Sequence, residues 1–155
     1  MGRLRIAAWV TGGIVASAVV AAGAVASTAV VKPNPRLTPG AFNPSVRQST
    51  IGSTICVRGW TKTIRPAVSY TNRLKIQQMA EYDETGSPSG YEEDHFIPLE
   101  LGGAPRDPHN LWPEPHAQAS RSDPLETHLK RQVCDSVITL AQARTAIRGF
   151  KRTHG

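Results

Sequence analysis

The segment from Tyr91 to His116 restricts the possible fold of this chain more than any other stretch. It reads YEEDHFIPLELGGAPRDPHNLWPEPH, with a Gly-Gly pair between two partly apolar runs. Such a pair is typical of a tight turn between extended segments. We therefore predict a strand over 91–101, a turn at Gly102-Gly103 and a returning strand over 110–112, closed by the prolines that follow.

Three side chains in this predicted hairpin suggest chemistry. Asp94 and His95 are adjacent, and Asn110 follows 15 residues after the histidine. Adjacent residues of an ideal strand point to opposite faces, so both can serve one site only where the strand twists, bulges or turns. Asn110 can lock the loop through backbone groups or ligate a metal. The alternative is a buried Asp-His pair that is hydrogen-bonded and purely structural.

Helices are predicted on both sides of the hairpin, which makes the fold class α+β. Ser69 or Thr71 is a candidate N-cap for a helix through Tyr82. Upstream of it, 51–63 consists of short β-branched runs broken by glycines, which favours one or two short strands or extended segments.

Two capping signals follow the hairpin. Asp123 precedes a proline, with Glu126 at the third helical position, which predicts an N-cap at Asp123 and a helix over 123–134. Thr139 and Gln142 form a second capping box that opens a final short helix. The tail over 151–155 is expected to fray.

Charge is distributed unevenly along the chain. The formal net charge is +6, yet all 12 acidic residues lie within 81–135, between two basic flanks. Basic flanks can attract a polyanion towards a carboxylate site that a divalent cation neutralises. Ordinary solubility and intramolecular pairing are the alternative explanation. The pattern permits a nucleic-acid substrate.

The amino terminus predicts export. Arg3 and Arg5 precede an uncharged run over 6–31 that is rich in Ala and Val. Residues 1–31 therefore form either a cleaved signal peptide or a retained membrane anchor, and both place the remainder outside the cytoplasm. Residues 32–50 contain four prolines and no apolar period, which predicts a linker.

The chain has two cysteines, Cys56 and Cys134. In an exported protein an isolated pair most simply forms a disulfide, which here would join the start of the domain to a helix near its end. A zinc site is disfavoured, because neither cysteine has a second one nearby.

The motif as a whole resembles the HNH endonuclease family with its ββα-metal fold. The resemblance rests on Asp94-His95, an Ile-Pro-Leu run at 97–99, Gly102-Gly103 and Asn110-Leu111. The longer string, together with the ICVRGWTKTIRP segment that begins at Ile55, is similar to exported actinobacterial HNH-like proteins of unknown role. The resemblance covers about residues 51–148, so we expect an HNH-like nuclease domain over 51–150.

The resemblance implies specific roles. His95 would be the general base that activates water, Asp94 a metal ligand, and Asn110 the residue that orients the loop carrying His95. The cofactor would be a divalent metal, Mg²⁺ or Mn²⁺, and the partner a nucleic acid, with DNA favoured over RNA. The family has a second metal ligand at the start of the next helix. No imidazole stands at that spacing here, so His116 or a neighbour is the candidate.

The function expected from these residues is metal-dependent hydrolysis of phosphodiester bonds by an exported or membrane-tethered endonuclease. Arg106 and Arg121 are candidate phosphate contacts, although exposed loop arginines are common. The alternative is a catalytically inactive HNH-like envelope protein that acts as a binding or structural module. No protein partner can be inferred from the sequence.

Overall fold

The structure is a computed structural model and describes residues 1–2 and 30–155. The signal peptide or anchor predicted over 1–31 lies almost wholly outside the described residues. Within the part of the chain that is described, no helix is long and apolar enough to cross a membrane.

The fold is mixed helix and sheet, as the α+β prediction states. Among the described residues, four α-helices and short 3-10 turns surround a two-stranded antiparallel sheet. In chain order the elements are α1 (Trp60–Ile64), α2 (Val68–Glu81), β1 (Tyr91–His95), β2 (Leu111–Pro115), α3 (His116–Cys134) and α4 (Leu140–His154).

The predicted hairpin is present, but its strands differ in extent from the prediction. β1 ends at His95, because the chain turns at Pro98 and enters a 3-10 turn over Leu99–Leu101. β2 continues through Pro113 to Pro115 rather than ending before them. In a two-stranded sheet each strand has a free edge, and a proline whose nitrogen faces that edge removes no hydrogen bond from the ladder.

The strand register decides which side chains meet. Glu92 pairs with Glu114, Asp94 with Trp112 and His95 with Leu111. Side chains alternate between faces, so the first two pairs share one face and the third pair lies on the other. Asp94 and Glu114 are therefore diagonal neighbours on the same face.

The prediction of strands over 51–63 is wrong. A 3-10 turn over Gln48–Ser53 and the helix α1 occupy this region. Ile51, Ile55 and Trp60 recur at four- and five-residue intervals, and all three pack against the core formed by α3 and α4. That spacing fits helical turns, and Gly59 reverses the chain between them with φ +81°.

The Pro-rich segment over 32–50 is not a free linker. Val46 is buried in the core with α3 and α4. The Gly40 amide donates to the His109 carbonyl, and Phe42 forms a β-bridge with Gly103. The segment thus covers the turn that follows β1, with its backbone polar groups paired to that turn.

The helix predictions are confirmed in type but not always in extent. α2 begins at Val68 with no side-chain cap, so neither Ser69 nor Thr71 is the N-cap. α3 begins at His116, and Asp123 lies inside it. The capping box of Thr139 with Gln142 is present at the start of α4.

The carboxyl-terminal tail is helical rather than frayed, because α4 continues to His154. The predicted disulfide is confirmed, with the Cα atoms of Cys56 and Cys134 5.6 Å apart at a sequence separation of 78. Closing a loop of this length stabilises the fold by about 4 kcal/mol in the chain-entropy model. The bond anchors the 3-10 region before α1 to the end of α3.

Candidate active site

His95 is the last residue of β1 and is almost fully buried, with 5% of its surface exposed. Its Nε2 lies 3.1 Å from the carbonyl oxygen of Pro105. A carbonyl oxygen only accepts, so Nε2 carries the hydrogen and Nδ1 is left with its lone pair. Burial lowers the pKa of His95, against the opposing charge of Asp94. The imidazole is therefore oriented and available as a proton acceptor.

Asn110 holds the loop that follows His95, as the sequence predicted. Its side-chain Nδ2 donates to the carbonyls of Ile97 and Ala104 at 3.0 and 3.1 Å. Its Oδ1 accepts from the amides of Ile97 at 3.0 Å and Ala41 at 3.4 Å. Asn110 has no exposed surface, and both of its donors and its acceptor oxygen are used.

The Gly-Gly pair permits this arrangement. Gly102 has φ +75°, a conformation that favours glycine. A Cβ on Gly103 would collide with the Ile97 carbonyl oxygen and crowd the Asn110 amide. The two glycines therefore let the loop close tightly around Asn110.

Lys151, near the end of α4, lies with no exposed surface among the carboxylates of the hairpin and α3. Its ammonium forms an ion pair with Asp94. The same Nζ lies 2.7 Å from Glu126 Oε1 and 3.8 Å from Glu114 Oε2. It also donates to the backbone carbonyl of His95 at 3.0 Å. We call Asp94, Glu114, Glu126 and Lys151 the buried charge cluster.

The protonation states of the cluster follow from burial and from the shared lysine. Burial opposes ionisation of Asp94, but the Lys151 charge, together with hydrogen bonds from Glu114 and Lys151 and the charge of His95, lowers the Asp94 pKa. Burial and the Asp94 charge raise the pKa of Glu114 to about 10. Burial also raises the pKa of Glu126, against the Lys151 charge, to about 8. At neutral pH one carboxylate is therefore ionised opposite one ammonium.

A cavity of about 420 Å³ opens beside the cluster. Asp94, His95, Glu126 and Arg65 line it. Its further lining residues include Glu92, Glu100 and Asp123. The pKa of Asp123 is raised by burial and by the Asp94 charge. The cavity thus presents one oriented imidazole, one guanidinium and several carboxyl groups to an entering molecule.

The two predicted metal ligands, Asp94 and His116, do not form a metal site in this structure. His116, at the first position of α3, has 54% of its side chain exposed and its Nδ1 lies 3.4 Å from Glu92 Oε2. Asp94 instead pairs with Lys151. Oxygen donors suit Mg²⁺ or Mn²⁺, but within 30–155 no three His, Cys, Asp or Glu side chains are placed to hold one ion. The pair of Asp94 and His116 therefore does not fit the predicted cation.

The two arginines predicted to contact phosphate lie away from the cavity. Arg106 is exposed, with its guanidinium 5.8 Å from the ring centroid of Tyr70. Arg121 is exposed on α3, and neither residue lines the cavity. Arg65 lines the cavity instead.

Three members of the buried charge cluster were also missed. Glu126 was assigned to a capping box, and Glu114 was not distinguished from other acids. Lys151 was placed in a frayed tail. One signal for it was present, since Leu140, Ala143, Ile147 and Lys151 follow one face of α4 and all are buried. A lysine at the end of an apolar stripe indicates a buried ammonium that needs partners.

Comparison of the chain with protein-family models, with curated proteins and with solved structures gives no match in any of the three. The functional assignment therefore rests on the geometry of the site and on the sequence motif.

Proposed function

We propose that this protein is an HNH-type endonuclease that hydrolyses phosphodiester bonds of nucleic acid, with His95 as the general base. The observation that carries the proposal is the hydrogen bond from His95 Nε2 to Pro105, which leaves Nδ1 as the basic nitrogen of a residue that lines the cavity. The order β1, loop, β2, α3, with Asn110 locking the loop, supports the ββα frame that the motif implies.

In the proposed step, water in the cavity gives a proton to His95 Nδ1 as its oxygen bonds to phosphorus. The ester bond opposite breaks, and the departing oxygen takes a proton from solvent. Arg65 holds a phosphate oxygen and stabilises the charge that develops there. Asn110 and the Pro105 carbonyl keep the imidazole in place throughout. A divalent cation remains a prediction and has no part in this step.

The test is cleavage of supercoiled plasmid DNA, and of RNA in parallel, by the whole chain with Mg²⁺, Mn²⁺ or EDTA. We expect His95→Ala to lower the rate by roughly 10²- to 10⁴-fold, the usual contribution of a general base. His109→Ala is the matched control, because His109 is exposed and pairs with Asp107 outside the cavity. Equal rates for wild type and His95→Ala would contradict the proposal.

A second candidate function is a catalytically inactive HNH-like module that binds or supports other envelope components. The specific observation in its favour is the ion pair of Lys151 with Asp94, because it neutralises the carboxylate expected to hold a metal. This candidate predicts a folded wild-type protein that cuts neither DNA nor RNA under any of the three conditions.

A further inference from the structure

The environment of Lys151 has the composition of a cation site. Four oxygen-bearing groups surround its ammonium: the carboxyl groups of Asp94, Glu114 and Glu126 and the carbonyl of His95. Hard cations in proteins are held by this kind of donor set, carboxylates with a backbone carbonyl. Here the positive charge comes from the Lys151 side chain on α4.

More acid surrounds this lysine than its charge requires. A buried ammonium needs one ionised partner and hydrogen bonds to its remaining protons. Asp94 and the His95 carbonyl already supply these. Glu114 adds a third carboxyl that is fully buried, and its Oε2 lies 3.8 Å from the ammonium without a hydrogen bond to it. A buried carboxyl that faces the cation in this way is an observation independent of the acidic composition.

The lysine is also coupled to the candidate base. Its Nζ bonds to the backbone carbonyl of His95 and to the side chain of Asp94, the two residues that end β1. The ammonium therefore fixes the strand end from which the imidazole projects. Because Lys151 has no exposed surface, it does not contact a substrate in the cavity.

We propose that Lys151 is a built-in cation that takes the place of a divalent metal at Asp94. The ammonium neutralises Asp94, positions the end of β1 and excludes Mg²⁺ or Mn²⁺ from the carboxyl groups. Lys151 is thus a positioning residue. The link to catalysis rests on the proposed function, whereas the exclusion of metal from these carboxyl groups does not.

The experiment measures Mn²⁺ binding by titration calorimetry and the midpoint of thermal unfolding with and without Mn²⁺. Lys151→Ala removes the ammonium and leaves space among the three carboxyl groups. Lys151→Met removes the charge but fills the space with an apolar chain of similar length. Lys62→Met, at an exposed lysine of α1, controls for the loss of one positive charge.

We expect wild type, Lys62→Met and Lys151→Met to bind Mn²⁺ more weakly than about 1 mM, and Lys151→Ala to bind one ion at least about tenfold more tightly than wild type. The Lys151→Ala unfolding midpoint should rise with Mn²⁺. Any nuclease activity of wild type should persist in EDTA. If the nuclease proposal fails, the binding comparison still stands.

Two results would overturn the inference. One is stoichiometric Mn²⁺ binding by wild type that Asp94→Asn abolishes, since the ammonium would then not exclude metal. The other is a folded Lys151→Ala protein that binds Mn²⁺ no better than Lys151→Met. Where Lys151→Ala does not fold with or without Mn²⁺, the wild-type titration decides alone: tight binding contradicts the inference and its absence supports it.

Discussion

Two groups of buried polar side chains meet at His95, and they are built on opposite principles. Around Asn110, one neutral amide satisfies backbone groups of three residues, and none of its own donors or acceptors is left over. Around Lys151, three carboxyl groups share one ammonium, and Glu114 lies 3.8 Å from that ammonium without a hydrogen bond to it.

This difference distinguishes a buried polar group that supports the fold from buried charged groups that set the electrostatics of the site. A fully satisfied neutral group holds a loop and leaves pKa values alone. An over-supplied acidic cluster shifts the pKa values of its members, and such shifts concentrate at functional sites. We therefore read the Asn110 group as the support of the site and the buried charge cluster as the source of its electrostatics.

The largest expected effect comes from removing the charge of Lys151. Lys151→Met leaves Asp94 and Glu126 buried without a cation, and breaking a buried pair in this way costs about 3–5 kcal/mol of unfolding free energy. Urea denaturation at pH 7 measures this loss of unfolding free energy. The loss should shrink at pH 5, because the buried Asp94 carboxylate, no longer paired with an ammonium, then takes up a proton. A loss within about 0.5 kcal/mol of Lys62→Met would show that the cluster is not structurally important.

A smaller loss of unfolding free energy is expected from substitutions of Asn110. Asn110→Ala leaves the Ile97 and Ala104 backbone groups without partners, at a cost of about 3 kcal/mol. Asn110→Asp keeps the shape but cannot donate, so it should cost nearly as much. Asn72→Ala, at an exposed position of α2, is the control. Unlike Lys151→Ala, neither Asn110 variant should gain Mn²⁺ affinity. A gain of Mn²⁺ affinity in an Asn110 variant would contradict the separation of the two groups.

The smallest expected effect is a stabilisation, and it comes from substitution of Glu114. The pKa of Glu114 is raised to about 10 from an unfolded value of 4.5, so the folded state holds a proton that the unfolded state releases above pH 4.5. Wild-type stability therefore falls as pH rises from about 4.5 towards 10. Glu114→Gln removes this dependence and should stabilise the protein by about 1–3 kcal/mol at pH 7.

Denaturation of wild type and Glu114→Gln at pH 5, 7 and 9 tests this last expectation. The two curves should converge at low pH and separate as pH rises. Glu100→Gln, in the 3-10 turn after β1, is the control. A Glu114→Gln protein that is less stable than wild type at pH 9 would mean that the buried carboxylate is ionised and needed by Lys151.

Much of the support of the site could be predicted from local sequence. Asn110 returns to the loop after His95, but through two 3-10 turns rather than the two short strands that the sequence predicts between these residues. The capping box at Thr139 and the pairing of Cys56 with Cys134 also follow from residue types and spacing. In contrast, Asp123, Pro124 and Glu126 imitate a helix start, yet packing extends α3 upstream to His116.

The sequence alone determined the hairpin, the placement of Asp94, His95 and Asn110 on it, and the disulfide, because these depend on short-range geometry or on the only available pair. Only the tertiary structure decided that Arg65 faces the cavity and that Lys151 is the cation of the site. Lys151 lies 57 residues from Asp94 in sequence, and no local pattern records that α4 packs its last buried position against the hairpin. Charge pairing across such a distance depends on how helices and sheet pack.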